Sequence, residues 1–81
     1  MVYRVQLFAL LKERTGLAAW EYRSKEPMTG LDLLAAFFDS FPGLEGLRHV
    51  TRLAVNRAFC NGNLQLRESD ELAFIPPVSG G

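Results

Sequence analysis

Cysteine and histidine are almost absent from this chain of 81 residues: Cys60 and His49 are the only examples of each. A lone cysteine excludes an intrachain disulfide, so stability must come from packing, and a reducing, cytoplasmic setting fits best. No pair of Cys or His stands at metal-ligand spacing, no Gly-rich phosphate loop is present, and no Ser or Cys nucleophile has an evident His partner. Net charge is missing too, because nine Lys and Arg balance nine Asp and Glu. That removes the long-range field that draws basic proteins to nucleic acid or anionic membranes. The apolar stretch 7–11 is short and closely flanked by Arg4, Lys12, Glu13 and Arg14, unlike a secretory signal or a membrane span. Nucleic acid, membrane and metal are therefore not expected as partners, and the side chains do not resemble an active site.

What is present suits a small folded domain. Hydrophobic residues make up 48% and charged residues 22% of the chain, an ordinary globular balance. A chain of this length closes one core but not two, so a single domain over residues 1–75 is expected, followed by a tail, 76–81.

Residues 2–9 alternate, with Tyr3, Val5, Leu7 and Ala9 on one side and Arg4, Gln6 and Phe8 on the other, as in a strand with one core-facing side. Residues 10–15 read as a short helical piece ended by Gly16. Trp20 and Tyr22, two apart, mark a second strand at 18–22. Thr29 is placed to cap a helix, with Asp32 as the acidic half of a capping box. Leu31, Leu34, Ala35, Phe38 and Phe41 form its apolar stripe, and Pro42-Gly43 stops it. A loop carrying His49 follows, then strands at 53–56 and 58–60, a turn at 61–63, and a last strand at 71–75. His49 is read as a solvated loop residue and Cys60 as a buried structural thiol, and neither is given a role.

The order strand, strand, helix, strand, strand, strand predicts one helix lying across a mixed sheet of about five strands. Its first and last strands pair in parallel through the helix crossover. That is an α+β domain of the β-grasp, or ubiquitin-like, class.

The ending Phe74-Ile75-Pro76-Pro77-Val78-Ser79-Gly80-Gly81 departs from the globular pattern. Pro76 and Pro77 favour extended backbone, so a segment beginning at Pro76 would reach roughly 20 Å beyond the fold. Gly80 and Gly81 lack Cβ atoms, so the backbone can thread a narrow channel and a reagent can approach the terminal carbonyl. The terminal carboxylate is a poor electrophile at neutral pH and needs activation, for instance by adenylation, before sulfur or an amine attacks it. The terminal Gly-Gly taken alone is equally consistent with a frayed end.

The wider pattern is more specific. The run Asp70-Glu71-Leu72-Ala73-Phe74-Ile75-Pro76-Pro77-Val78-Ser79-Gly80-Gly81 resembles the ending of the small subunit of molybdopterin synthase, the MoaD family. Leu7-Phe8-Ala9 with Lys12-Glu13 and Gly16, and Leu53-Ala54-Val55-Asn56, resemble its opening and its middle, so the likeness spans essentially the whole chain.

The resemblance implies a sulfur carrier without activity of its own, the donating subunit of a sulfurtransferase complex. An E1-like, MoeB-like enzyme would consume ATP to adenylate Gly81, and a sulfur donor protein would convert it to a thiocarboxylate. The large, MoaE-like subunit would receive the tail in a heterotetramer, and the sulfur would pass to cyclic pyranopterin monophosphate. Carried over by position, Gly81 is the modified residue and Gly80 its slim neighbour. Pro76, Pro77, Val78 and Ser79 are the threaded segment, and Phe8, Phe74 and Ile75 are candidates for the docking surface. No cofactor is implied for this chain itself. Phe8 also reads as an ordinary exposed aromatic, and Phe74 and Ile75 must face opposite ways, one supporting the core and the other meeting a partner. The same tail chemistry would serve a carrier for thiamin synthesis or tRNA thiolation, or a ubiquitin-like protein modifier.

Overall fold

Alternation in the opening residues produces the first strand, β1 (Val2–Leu7), which buries Tyr3, Val5 and Leu7 and exposes Arg4 and Gln6. The strand stops two residues earlier than its pattern suggests, because Ala9 has φ 47° and begins a short helix, α1 (Ala9–Thr15). Ala9 is therefore not a core-facing strand residue. Gly16 closes α1 in the left-handed conformation, φ 74°, and its N–H donates to the Lys12 carbonyl, as a glycine at a helix end commonly does. The computed structural model describes residues 1–77.

The remaining elements are β2 (Ala19–Arg23), α2 (Gly30–Ser40), a 3-10 segment (Pro42–Val50), β3 (Arg52–Val55), β4 (Ala58–Cys60) and β5 (Leu72–Ile75). The sheet has five strands in the order β2-β1-β5-β3-β4. Strands β1 and β5 are parallel, with Leu7 opposite Phe74, while the neighbouring pairs β1–β2, β3–β5 and β3–β4 are antiparallel. This is the expected β-grasp arrangement. Among the described residues no helix is long and apolar enough to cross a membrane.

The capping box at Thr29 is present in full. The Thr29 hydroxyl accepts from the Asp32 N–H at 3.2 Å and the Asp32 carboxylate accepts from the Thr29 N–H at 3.1 Å, satisfying donors that a helix start otherwise leaves free. The buried side of α2 is nevertheless not the expected stripe. Leu33, Phe37 and Phe38 are buried, Leu34, Ala35 and Phe41 only partly so, and Leu31 is 56% exposed. The reason lies at the helix start, where the Leu31 N–H donates to the Gly62 carbonyl at 2.8 Å. Leu31 is packed so closely over Gly62 that a Cβ there would lie 2.3 Å from its Cγ. Leu31 covers the 61–64 turn, and Phe37 takes the central position over the sheet.

Phe37 packs against Trp20, Phe38, Phe41 and Phe74, with ring centroids 5.0–5.2 Å away. Tyr3, Val5, Leu11, Leu66 and Leu72, themselves at most 1% exposed, join them in the core. The segment after β4 returns past the start of α2, where Gly30 donates to the Leu64 carbonyl and Leu66 to that of Met28. The expected loop after α2 is the 3-10 segment, started by Pro42 and tied down by buried Leu44, with His49 exposed on it. Cys60 is partly buried against the core rather than enclosed.

Asn56 is not the end of a strand. It and Arg57 have φ of 52° and 71°, the left-handed pair of a two-residue hairpin turn between β3 and β4. The Asn56 side chain accepts from the Glu71 N–H at 2.9 Å and donates to Asp70 at 3.1 Å. This turn thus holds the start of β5, and β5 carries the base of the tail.

Candidate functional site

Side chains of the sheet divide strictly by parity. Rows such as Leu7, Phe74, Leu53 and Cys60 face α2, while the register puts Gln6, Ala73, Ala54 and Phe59 side by side on the opposite, outer face. Ala54 and Ala73 are paired neighbours at the middle of that row, and two methyl groups make a low floor. Phe8, where β1 gives way to α1, and Phe59 on β4 stand on either side, with Ile75 between them further along β5. Together they line a groove of about 280 Å³. Arg57 and Glu71 form its other border, joined by an ion pair of 3.1 Å. With side chains 87% and 57% exposed, that pair adds little to stability.

The residues singled out from the sequence separate on this geometry. Phe8 is 48% exposed and partly buried Ile75 lines the groove beside it. Phe74 is fully buried against Phe37 and Trp20, so it supports the core and is not part of a docking surface. Pro76 is also a correction. Burial alternates through Leu72, Phe74 and Pro76, so the core-facing parity of β5 continues one residue past its last ladder partner. Proline lacks the N–H for another ladder bond but still has a ring to bury. Pro76 therefore packs against the core rather than projecting from it, whereas Pro77 is exposed. Val78, Ser79, Gly80 and Gly81 lie outside the described residues.

A family model described as the ThiS family matches residues 5–81. The chain belongs to the ThiS family. Its relatives include the molybdopterin synthase sulfur carrier subunit of Arabidopsis thaliana, 35% identical over 78 residues that cover 96% of this chain and 81% of that protein. The protein of the same name from Aedes aegypti is 30% identical over 89 residues, 99% of this chain and 91% of its own. These relatives bear out the resemblance read from the sequence.

Among solved structures, SAMP1 from Haloferax volcanii matches with a TM-score of 0.82 at 27% identity, covering 100% of both chains. A chain from the protein–protein complex of subunits 1 and 2 of molybdopterin-converting factor from Helicobacter pylori 26695 shares the fold, with a TM-score of 0.69 at 24% identity over 100% of both chains.

Within this ThiS-family chain, three contributors to the outer face escaped sequence reasoning: Phe59, the Ala54–Ala73 floor and the Arg57–Glu71 border. Phe59 was within reach. Once residues 58–60 are read as a strand with Cys60 turned inward, period-two alternation sends Phe59 outward. The floor depends on β3–β5 register, for which the sequence carries no direct signal.

Proposed function

We propose that this chain is the sulfur carrier subunit of a molybdopterin synthase, with the α-carboxylate of Gly81 as its reactive group. The observation that carries the reading is its 35% identity, across 96% of the chain, to a subunit of that name. A family match extending through Gly81 and the buried Pro76 anchor at the foot of the ending support it.

An E1-like, MoeB-like enzyme binds the ending and ATP, and a carboxylate oxygen attacks the α-phosphorus, expelling pyrophosphate. The resulting acyl adenylate loses AMP to sulfide-level sulfur released by a donor protein, a C–S bond forming as the C–O bond to AMP breaks, which leaves a thiocarboxylate on Gly81. The absence of Cβ atoms at Gly80 and Gly81 keeps the acyl carbon open to attack. The MoaE-like large subunit covers the outer-face groove and takes the ending into its own site, where sulfur passes to cyclic pyranopterin monophosphate. The carrier contributes the reagent and its delivery, and the partners contribute the catalysis. ATP is consumed by the activating enzyme, and the cytoplasm, with its reduced thiols, suits the single Cys60.

Intact-mass measurement after incubation with the activating enzyme, ATP and a sulfur donor tests the reading. The expected product has one oxygen replaced by sulfur, localised to Gly81. An unmodified chain, under conditions that convert an established carrier, would refute it, and amide-linked conjugates on lysines of other proteins would favour a modifier instead.

A further inference from the structure

The outer face carries a charge that its apolar surroundings do not explain. Arg52 is exposed at the start of β3, in register with Ile75 on β5. Its guanidinium carbon lies 3.9 Å from the centroid of the Phe59 ring, so the charge sits over one wall of the groove. Arg57, the other arginine at the groove, is neutralised by Glu71 at 3.1 Å. Among the described residues no carboxylate reaches ion-pair distance of Arg52.

Stacking on an aromatic face holds a guanidinium in place without neutralising it, and its N–H donors remain available around the rim of the plane. In the free chain water satisfies those donors. A partner that covers Phe8, Phe59 and Ile75 removes that water. A guanidinium enclosed on an apolar face without a counter-charge is strongly unfavourable, whereas a carboxylate meeting it in a bidentate pair offsets the loss.

We propose that Arg52, held on Phe59, is a specificity-determining residue of the docking face, and that it pairs with a carboxylate presented by the large subunit. The inference rests on the sulfur carrier reading, because it takes the large subunit as the occupant of the groove. The Arg52 charge selects among surfaces of similar shape, rejecting those that bring a cation or nothing to this position.

Titration calorimetry of the full chain against the large synthase subunit, at low and at high salt, tests this, with thermal unfolding confirming that each variant is folded. Arg52→Gln is expected to weaken binding roughly tenfold at low salt, Arg52→Glu more strongly, with the deficit shrinking as salt rises. Arg52→Lys, which keeps the charge, should recover part of the affinity. Binding of Arg52→Gln and Arg52→Glu within about twofold of the unmodified chain would overturn the inference while leaving the carrier reading intact. A loss equal for Gln, Glu and Lys and insensitive to salt would also overturn it, by assigning the effect to packing on Phe59. Failure of the unmodified chain to bind the large subunit would instead remove the carrier reading, and this inference with it.

Discussion

Phe37 of α2 and Phe74 of β5 meet edge to face, with ring centroids 5.2 Å apart and planes inclined at 66°. The contact ties the last strand, and hence the foot of the tail, to the helix above it. Phe74→Ala should cost about 3–5 kcal/mol, the usual loss for a buried aromatic. Ile75→Ala, one residue along on the outer face, should cost roughly 1 kcal/mol yet weaken binding to the large subunit. Chemical denaturation and a binding titration on the two variants separate the roles. Equal losses of stability would contradict the division of β5 into a core side and an outer, groove-lining side.

Much of this was legible in the sequence because it depends on local chemistry. Thr29 and Asp32 identify the helix start, Gly16 the end of α1, and the alternation of Tyr3, Val5 and Leu7 the buried side of β1. Such signals act over a few residues and need no knowledge of the rest of the fold. The central role of Phe37 was not legible, since Phe37 and Phe38 are adjacent and either could have led the stripe. The choice is made by the turn around Gly62, which draws Leu31 away from the sheet. The burial of Pro76 is hidden for a related reason: its backbone preference argues for extension, but extended backbone can lie against the core as readily as project from it. The outer-face groove depends on pairing between strands distant in sequence, which local pattern does not encode.

Tyr3 presents a separate test, because it is fully buried yet carries a polar group. Its hydroxyl accepts from the Met28 N–H at 3.0 Å and is 3.5 Å from the Met1 sulfur. Tyr3→Phe keeps the ring but leaves the Met28 N–H without its acceptor, and should cost about 1–3 kcal/mol. The change should appear as a lower denaturation midpoint with an unaltered slope. An unchanged midpoint would mean that water reaches Met28 once the hydroxyl is gone.

Two glycines with similar apparent crowding should respond differently. A Cβ on Gly30 would come 2.3 Å from Leu53 Cδ2 and 3.3 Å from the Gly62 carbonyl, and Leu53 is a core residue, 3% exposed. A Cβ on Gly62 would come 2.3 Å from the Leu31 side chain and 3.2 Å from the Leu31 backbone N, but Leu31 is 56% exposed, so its side chain has solvent to move into. Gly30→Ala should therefore cost about 1–3 kcal/mol through overpacking, and Gly62→Ala less. Thermal unfolding of the two variants checks the ranking, and the opposite order would show that the 61–64 turn, not the Leu53 contact, limits how closely α2 approaches the sheet.

Phe8 sets docking against stability at a single position. It occupies the N-cap of α1, with extended backbone at φ −127° and ψ 157°, and its side chain makes no capping hydrogen bond. An aspartate at an N-cap can accept from the free N–H groups of the first turn and typically contributes about 0.5–2 kcal/mol. Because Phe8 is 48% exposed, its removal forfeits little core packing. Phe8→Asp is therefore expected to unfold at the same temperature as the parent chain or higher, even though a large apolar residue has been replaced by a charge. Binding to the large subunit should nevertheless fall by at least roughly tenfold, because the new carboxylate would have to be desolvated in the apolar groove. Retained stability with lost binding would mark Phe8 as a residue kept for its partner, whereas a fall in stability with binding preserved would return it to the fold.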